Sequence, residues 1–303
     1  MQTLISHPAF QSALAPFVVA VLMVLAVTRF RPDLSSQWLG LAILGGFLST
    51  VLLTTGLSIW PVTSTQKLIF SALTLPVFVI LMEWLYRLLA ARVLPGESVK
   101  GQFFITIFLP VALLVAAQCW IIWPVLMRQE WADAWPMVLR VTGYVAAIGT
   151  IFLGLGRLRE PEKKLAQGVS ILVLGLGTGI TCLLVATALY AQLAFAISAS
   201  VGGLLLMTLF PWCRIALGHV ASFGLFAAAV PLALLGASAT VYAQPHLPFW
   251  ALPCLMAIPL LAWWPTIRVS DPWLKVVVTP LLAFIPVIPA IWLAWRAGGP
   301  VSF

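Results

Sequence analysis

Apolar residues occur in long runs along this chain, and charged residues fall mainly between the runs. A helix needs about 20 mostly apolar residues to cross the hydrocarbon of a bilayer. On that criterion the pattern predicts ten membrane-spanning helices, near residues 10–29, 38–59, 69–91, 102–127, 135–156, 169–189, 192–212, 217–241, 248–266 and 273–295. The predicted fold class is all-α, a polytopic transmembrane helix bundle that forms a single integral membrane domain over residues 1–303.

The division between the sixth and seventh spans depends on length. Residues 169–212 contain no charged side chain. At 1.5 Å per residue they would form a helix of about 66 Å, roughly twice the hydrocarbon thickness. The length therefore favours two helices joined by a tight turn near Tyr190, Ala191 and Gln192.

The positions of the basic residues predict an orientation, because Lys and Arg are enriched in cytoplasmic loops. With the N-terminus outside, twelve of them fall on the cytoplasmic side: Arg29, Arg31, Arg87, Arg92, Lys100, Arg157, Arg159, Lys163, Lys164, Arg214, Arg268 and Lys275. Four fall outside: Lys67, Arg128, Arg140 and Arg296. Both termini are therefore expected on the outer, periplasmic side of a bacterial inner membrane.

The composition agrees with this picture and excludes a soluble globular protein. The chain is 62% hydrophobic and 8% charged, whereas soluble proteins are roughly 45–50% apolar and about 25% charged. The net charge of +8 is explained by the basic residues between spans, so nucleic-acid binding is not predicted. The four cysteines lie far apart and predict neither a disulfide framework nor a zinc site. The lipid bilayer is the expected partner, and other membrane subunits are a second possibility.

The first candidate for a functional residue is Glu83, the one acidic residue within a predicted span. Ionisable residues in the bilayer cost about 2.5–3.5 kcal/mol on insertion scales, so each suggests a function. Arg87 follows at i+4 in the order that favours an ion pair. The two residues could form a self-neutralising pair near the cytoplasmic boundary, or Glu83 could bind a proton or a cation on a polar path.

Two further polar residues complete the candidate transport site, which consists of Glu83, Arg87, Gln118 and Arg140. Arg140 lies about five residues inside the fifth predicted span, where its side chain could extend to the interface or contact an anion. Gln118 lies in the fourth predicted span and could form an interhelical hydrogen bond or bind a ligand.

Small residues and prolines mark other segments. Glycines from Gly175 to Gly179 and the small residues from Ser198 to Gly203 predict tight packing of the sixth and seventh spans, or an unwound binding segment. The tenth predicted span contains Pro280, Pro286 and Pro289, so a straight helix is not expected there.

Histidines give little support for a cofactor. A bis-histidine haem needs two ligands that face each other. His7 and His246 both fall on the predicted outer side but outside the spans, and His219 lies near the inner side. No catalytic, cofactor-binding or metal-binding residue is therefore predicted.

Three functions remain. The helix count, the interrupted spans and the lack of enzyme motifs favour a transporter or permease of a small solute, with proton coupling through Glu83 as one option. The alternative is a non-catalytic membrane subunit or scaffold of a larger complex, since few polar residues lie within the spans. The sparse acidic residues disfavour a membrane-embedded enzyme that acts on lipid-linked substrates.

Overall fold

The computed structural model describes residues 7–30, 37–56, 63–93, 107–156, 161–185, 187–208, 222–243, 246–269 and 271–298. Regular secondary structure in these ranges is entirely helical. A π-helical segment, Phe10–Leu14, leads into the first α-helix. The α-helices are α1 (Ala15–Phe30), α2 (Gln37–Thr54), α3 (Ser64–Val93), α4 (Leu109–Leu126), α5 (Trp131–Gly156), α6 (Pro161–Leu184), α7 (Ala188–Thr208), α8 (Ser222–Tyr242), α9 (Ala251–Arg268), α10 (Pro272–Phe284) and α11 (Val287–Gly298).

Within the described residues, ten apolar helical segments overlap the ten predicted spans. Six are long and apolar enough to cross a bilayer: Phe10–Val27, Leu109–Leu126, Ala134–Gly154, Ala166–Leu184, Ala188–Met207 and Leu274–Gly298. Four are shorter: Gly40–Thr54, Ser64–Val79, Phe226–Tyr242 and Ala251–Thr266. The all-α prediction is confirmed, and the chain is a multi-pass membrane protein whose apolar helices contact lipid.

Helix α8 lies at the centre of the bundle. Every side chain from Phe226 to Val241 is buried. The helix packs against α2, α3, α4, α5, α6 and α7. Helices α10 and α11 lie at the edge, and many of their large apolar side chains are exposed. The polar groups that could line a path through the protein are therefore those on α8 and its neighbours.

The prediction of two helices within residues 169–212 is confirmed, but the predicted position of the turn is wrong. Helix α6 ends at Leu184 and α7 begins at Ala188, so Tyr190, Ala191 and Gln192 already belong to α7. Thr187 determines this position. Its carbonyl accepts from the Ala191 N–H at 3.0 Å, and its hydroxyl donates to the Cys182 carbonyl at 3.1 Å. Thr187 thus satisfies backbone groups on both sides of the turn, which ends one helix and starts the next.

The last predicted span is broken, as its prolines predict. Helix α10 ends at Phe284, and α11 begins at Val287. The Ile285 N–H donates to the Leu282 carbonyl at 3.3 Å, which closes the last turn of α10. Pro286 follows and has no N–H to continue the helix.

Small residues allow close contact between α6 and α7. A Cβ at Gly175 would meet Ser198 Oγ and would lie 3.2 Å from the Ala194 carbonyl oxygen. Ser198 Oγ donates across the interface to the Leu172 carbonyl at 3.2 Å. The predicted tight packing is confirmed. Since α6 is helical throughout Gly175–Gly179, the alternative of an unwound segment is not observed.

Candidate functional site

One end of the bundle brings together polar groups from three helices. Helices α2, α4, α6 and α8 end here, and α3, α5, α7 and α9 begin here. The Ser64 hydroxyl donates to the Tyr242 hydroxyl at 3.0 Å. The Tyr242 hydroxyl donates in turn to the Ile121 carbonyl at 2.6 Å. These bonds join the start of α3, the end of α8 and the last turns of α4, and we call this end the Tyr242 end.

A cavity of about 360 Å³ lies at the Tyr242 end, lined by Ser64, Thr65, Thr187, Ala188, Leu189, Tyr190 and Tyr242. Five of these seven residues carry a hydroxyl group, and none carries a formal charge. Ala188 is exposed, and Ser64, Thr65 and Thr187 are partly exposed, so the cavity reaches the surface. Its volume falls in the range of about 300–1,000 Å³ that is usual for small-molecule sites.

Local sequence signals place the start of α3 at the cavity. The Thr63 N–H donates to Gln66 Oε1 at 2.8 Å. The Gln66 N–H donates to Thr63 Oγ1 at 3.3 Å. This reciprocal pair is a capping box, which satisfies two of the N–H groups that a helix start leaves without partners. It places Ser64 and Thr65 in the first turn of α3, beside the cavity.

Three of the five hydroxyl groups in the lining donate their hydrogen bonds to other protein atoms. Ser64 donates to Tyr242, Tyr242 to the Ile121 carbonyl, and Thr187 to the Cys182 carbonyl. Tyr190, which is buried, and Thr65, which is partly exposed, are the other two hydroxyl-bearing residues of the lining. A hydroxyl has one donor and two acceptor lone pairs. The lining therefore presents mainly acceptor oxygens to a molecule in the cavity.

Buried polar atoms without partners lie inward of the cavity. Gln118 on α4 and Ser238 on α8 are fully buried. Among the described residues, neither the Gln118 amide nor the Ser238 hydroxyl has a hydrogen-bond partner. Ser238 precedes Tyr242 by four residues, and Gln118 precedes Ile121 by three. Gln118 and Ser238 therefore each lie about one helical turn farther from the Tyr242 end than Ile121 and Tyr242 do.

Tyr144 on α5 adds a third polar group to this region. Its hydroxyl would lie 3.0 Å from a Cβ built at Gly236, so the absence of a side chain there makes room for it. The Tyr144 hydroxyl is buried and has no hydrogen-bond partner within the described ranges. Gly236 is two residues before Ser238 on α8, so the two positions face opposite sides of the helix, and Tyr144 lies on another side of α8 from Ser238.

Of the two sequence candidates whose side chains the structure describes, Gln118 and Arg140, only Gln118 lies near this site. Arg140 on α5 is exposed and does not line the cavity. Its guanidinium carbon lies 5.2 Å from the centre of the Phe249 ring, a favourable cation–π contact. An exposed arginine at this end agrees with the expectation of a side chain that extends to the interface.

Glu83 and Arg87 belong to α3, and their side chains lie outside the part that the structure describes. Glu83 follows Ser64 by 19 residues on this helix. At 1.5 Å per residue it is about 28 Å from the cavity along the helix axis, toward the opposite end. The backbone therefore separates Glu83 from the hydroxyl groups at the Tyr242 end.

His7 and His246 do not line the cavity. His7 and His246 are both exposed, and His219 lies outside the described residues. His7 Nδ1 accepts from the Ala9 N–H at 3.2 Å, beside the start of the first helix. Within the described ranges, no group of three or more His, Cys, Asp or Glu side chains could hold a metal ion.

Sequence reasoning missed the hydroxyl-lined cavity. Ser64 and Tyr242 are 178 residues apart, and their contact depends on packing. One local signal was available, since Thr63 and Gln66 have the spacing of a capping box. A second signal was that the chain has only four tyrosines, and Tyr144 and Tyr190 are buried with Tyr242 partly so.

Comparison with models of known protein families gave no match, and comparison with curated protein sequences gave none either. The function is therefore inferred from the geometry of the Tyr242 end.

Proposed function

We propose that the protein is a transporter of a small solute, which enters through the hydroxyl-lined cavity at the Tyr242 end. The observation that carries this proposal is a hydroxyl-lined cavity at one end of the bundle with buried polar side chains about one helical turn farther in. Five hydroxyl-bearing residues line the cavity, and Gln118 and Ser238, which have no partner among the described residues, lie farther along α4 and α8. Solute sites in membrane proteins are built from such polar groups facing the interior of a bundle.

The distribution of basic residues supports an orientation for this transporter. Lys67, Arg128, Arg140 and Arg296 belong to segments at the Tyr242 end, whereas the predicted topology assigns the other twelve Lys and Arg to the opposite side. The positive-inside rule then assigns the Tyr242 end to the outer side. We therefore propose ten spans with both termini outside, in a bacterial inner membrane, and a cavity that faces the periplasm.

The free-energy cost of burying polar groups without hydrogen-bond partners favours transport over a passive scaffold. A polar group buried without a partner costs roughly 1–3 kcal/mol on the scale of protein mutants. Within the part of the chain that the structure describes, Gln118 and Ser238 each carry such a group. A bundle that only supports other subunits would be more stable with apolar residues at these positions. A path for a polar solute gives a physical reason to keep them.

Reconstitution tests the proposal. Purified protein is incorporated into liposomes, and stopped-flow light scattering follows the entry of xylitol, lactate and choline as neutral, anionic and cationic solutes. We expect at least one solute to enter faster than into protein-free liposomes. Ala188→Phe fills the cavity with a ring and should slow that entry. Leu139→Phe, at an exposed apolar position on α5, is the matched control and should have no effect.

The contrary result is also informative. If none of the three solutes enters faster than the background rate, the transport proposal fails. Subunits that then co-purify from native membranes would support the scaffold alternative.

Glu83 supports a possible coupling step at the far end of α3. A carboxylate in a membrane helix is a candidate proton carrier. We expect Glu83→Gln to abolish solute uptake driven by a pH gradient, while the protein still inserts and purifies normally. Glu83→Asp keeps the carboxylate and should retain part of the uptake. Full activity in Glu83→Gln would mean that Glu83 has no coupling role.

A further inference from the structure

The Ser238 hydroxyl, like that of Thr178, differs from several other buried Ser and Thr hydroxyls on the helices of this protein. Ser170, Ser200 and Thr181 each donate to the carbonyl four residues earlier in their own helix, at 2.5, 2.7 and 2.9 Å. Ser and Thr hydroxyls within helices usually find their hydrogen-bond acceptor in this way. Ser238 is fully buried and makes no such bond, nor any other within the described chain. Its hydrogen-bonding capacity is therefore unused within the described chain.

The Gln118 amide has a larger unused capacity. A glutamine amide offers two donors and an acceptor oxygen with two lone pairs. Both amide atoms of Gln118 are buried, and neither finds a partner in the residues that the structure describes. The amide therefore supplies donors as well as acceptors, one helical turn inward of the Tyr242–Ile121 hydrogen bond.

The cavity lining and the deeper residues Gln118 and Ser238 differ in the hydrogen-bond donors and acceptors that they offer. The cavity offers mainly acceptor oxygens, because the hydroxyl hydrogens of Ser64, Tyr242 and Thr187 bond to protein atoms. A molecule that binds there must bring its own donors. At the deeper level the Gln118 amide can both donate and accept. Hydroxyl groups on a solute, which also donate and accept, would match both levels.

The charges near the cavity disfavour ionic solutes. None of the seven lining residues is charged, so a carboxylate would find no positive partner in the lining. Lys67 lies three residues after Ser64 on α3, with Nζ 3.4 Å from the Trp120 carbonyl oxygen and 5.2 Å from the centre of the Trp120 ring. This ammonium group would repel a cationic solute, and because it is not among the lining residues, it offers an anionic solute no direct contact in the cavity. Removing an ion from water without a counter-charge is costly.

We propose that Gln118 and Ser238 form a second solute contact beneath the cavity, and that the solute is an uncharged, hydroxyl-rich molecule of the polyol class. This inference rests on the proposed transport function and adds the class of solute and the residues that bind it. The solute first meets the hydroxyl oxygens of the cavity. It then exchanges these for the Gln118 amide and the Ser238 hydroxyl as it moves inward.

The test measures xylitol entry into proteoliposomes that contain Gln118→Leu or Ser238→Ala. Loss of one or two hydrogen bonds to the solute should slow entry by about tenfold in Gln118→Leu and by about threefold in Ser238→Ala. Gln167→Leu and Ser170→Ala are matched controls. Gln167 is buried on α6 and is also unpartnered within the described ranges, whereas Ser170 bonds to its own helix. Both controls should conduct xylitol at the wild-type rate.

Each outcome has a distinct meaning. If the wild type conducts choline or lactate but not xylitol, the assigned class of solute is wrong while transport stands. If the wild type conducts xylitol and both Gln118→Leu and Ser238→Ala do so equally well, the second contact is wrong. Equal slowing by Gln118→Leu and Gln167→Leu would also overturn the assignment, because it would reflect only a general loss of buried polarity. Ser238→Ala is a small change and keeps the test valid should Gln118→Leu fail to fold.

Discussion

Two groups of buried polar residues in this bundle differ in whether their hydrogen bonds are satisfied. At the contact of α7 with α1, α2 and α6, the Ser198 hydroxyl bonds to carbonyls of Leu172 and Ala194. The Ser200 hydroxyl bonds to carbonyls of Ala196 and Pro16. Around α8, Ser238 and Gln118 are equally buried and have no partner among the described residues.

The comparison distinguishes polar residues that only help helices to pack from polar residues whose hydrogen-bonding groups are unused. Serines of α7 are small enough for neighbouring backbones to approach, and their hydroxyls are used up by carbonyls, so they stabilise the bundle. The polar groups around α8 contribute no such bond and lower the stability of the bundle. Burial of a polar residue in a membrane helix therefore does not itself indicate a function. A buried polar group that leaves its hydrogen-bonding capacity unused is the stronger signal.

The largest expected effect on the free energy of unfolding comes from adding a side chain at Gly46, where α2 and α7 are in close contact. A Cβ at Gly46 on α2 would meet Ser200 Oγ and lie 2.8 Å from the Pro16 carbonyl oxygen. Because the backbone cannot easily yield, we expect Gly46→Val to lower the free energy of unfolding by about 3 kcal/mol. Unfolding in detergent micelles with added SDS, followed by circular dichroism, measures the change.

Gly143 on α5 provides the control for that substitution. A Cβ there would meet nothing within 4 Å. Gly143→Ala should be neutral or should stabilise the protein by about 0.5–1 kcal/mol, since alanine favours a helix over glycine. If both variants unfold at the same SDS concentration, close packing at Gly46 does not contribute as described.

Two tyrosines allow the satisfied and unsatisfied groups to be compared directly. Tyr242→Phe removes a hydroxyl that bonds to both Ser64 and the Ile121 carbonyl. We expect a loss of about 1–2 kcal/mol in the free energy of unfolding, from two hydrogen bonds of ordinary strength. Tyr144→Phe removes a buried hydroxyl without a partner in the described chain and should leave stability unchanged or slightly raised. The same SDS titration measures both, and a larger loss in Tyr144→Phe would contradict the comparison.

Local features of the sequence predicted most of the helices. Each span needs a run of about 20 apolar residues, and such a run is visible without knowledge of its neighbours. The break at Pro286 is also local, because proline cannot continue the hydrogen bonds of a helix. The start of α7 was placed too late because hydropathy hardly changes across residues 169–212. The decisive residue there is Thr187, which acts through two backbone contacts.

Packing within the membrane could not be predicted in the same way. In water, an apolar stripe on a helix identifies the buried face. In lipid, both the buried and the exposed faces are apolar, so Leu234 on α8 and Leu281 on α10 belong to equally apolar helices although one is buried and the other exposed. Gln118 was identified because a lone amide stands out in an apolar run. Ser238 and Tyr242 gained their significance only from the helices that pack around them.

The smallest expected effect concerns Thr187, whose hydroxyl lines the cavity and donates to the Cys182 carbonyl at 3.1 Å. Thr187→Val keeps the shape and removes this bond, so the free energy of unfolding should fall by about 0.5–1 kcal/mol. Thr150→Val on α5 is the control. Its hydroxyl bonds to the Ala146 carbonyl within one helix at 2.8 Å, away from the cavity. If Thr187→Val slows xylitol entry and Thr150→Val does not, the Thr187 oxygen contacts the solute as well as closing the turn. If the two variants conduct xylitol equally, Thr187 belongs with the satisfied serines of α7, and the solute is bound by the remaining hydroxyls of the cavity.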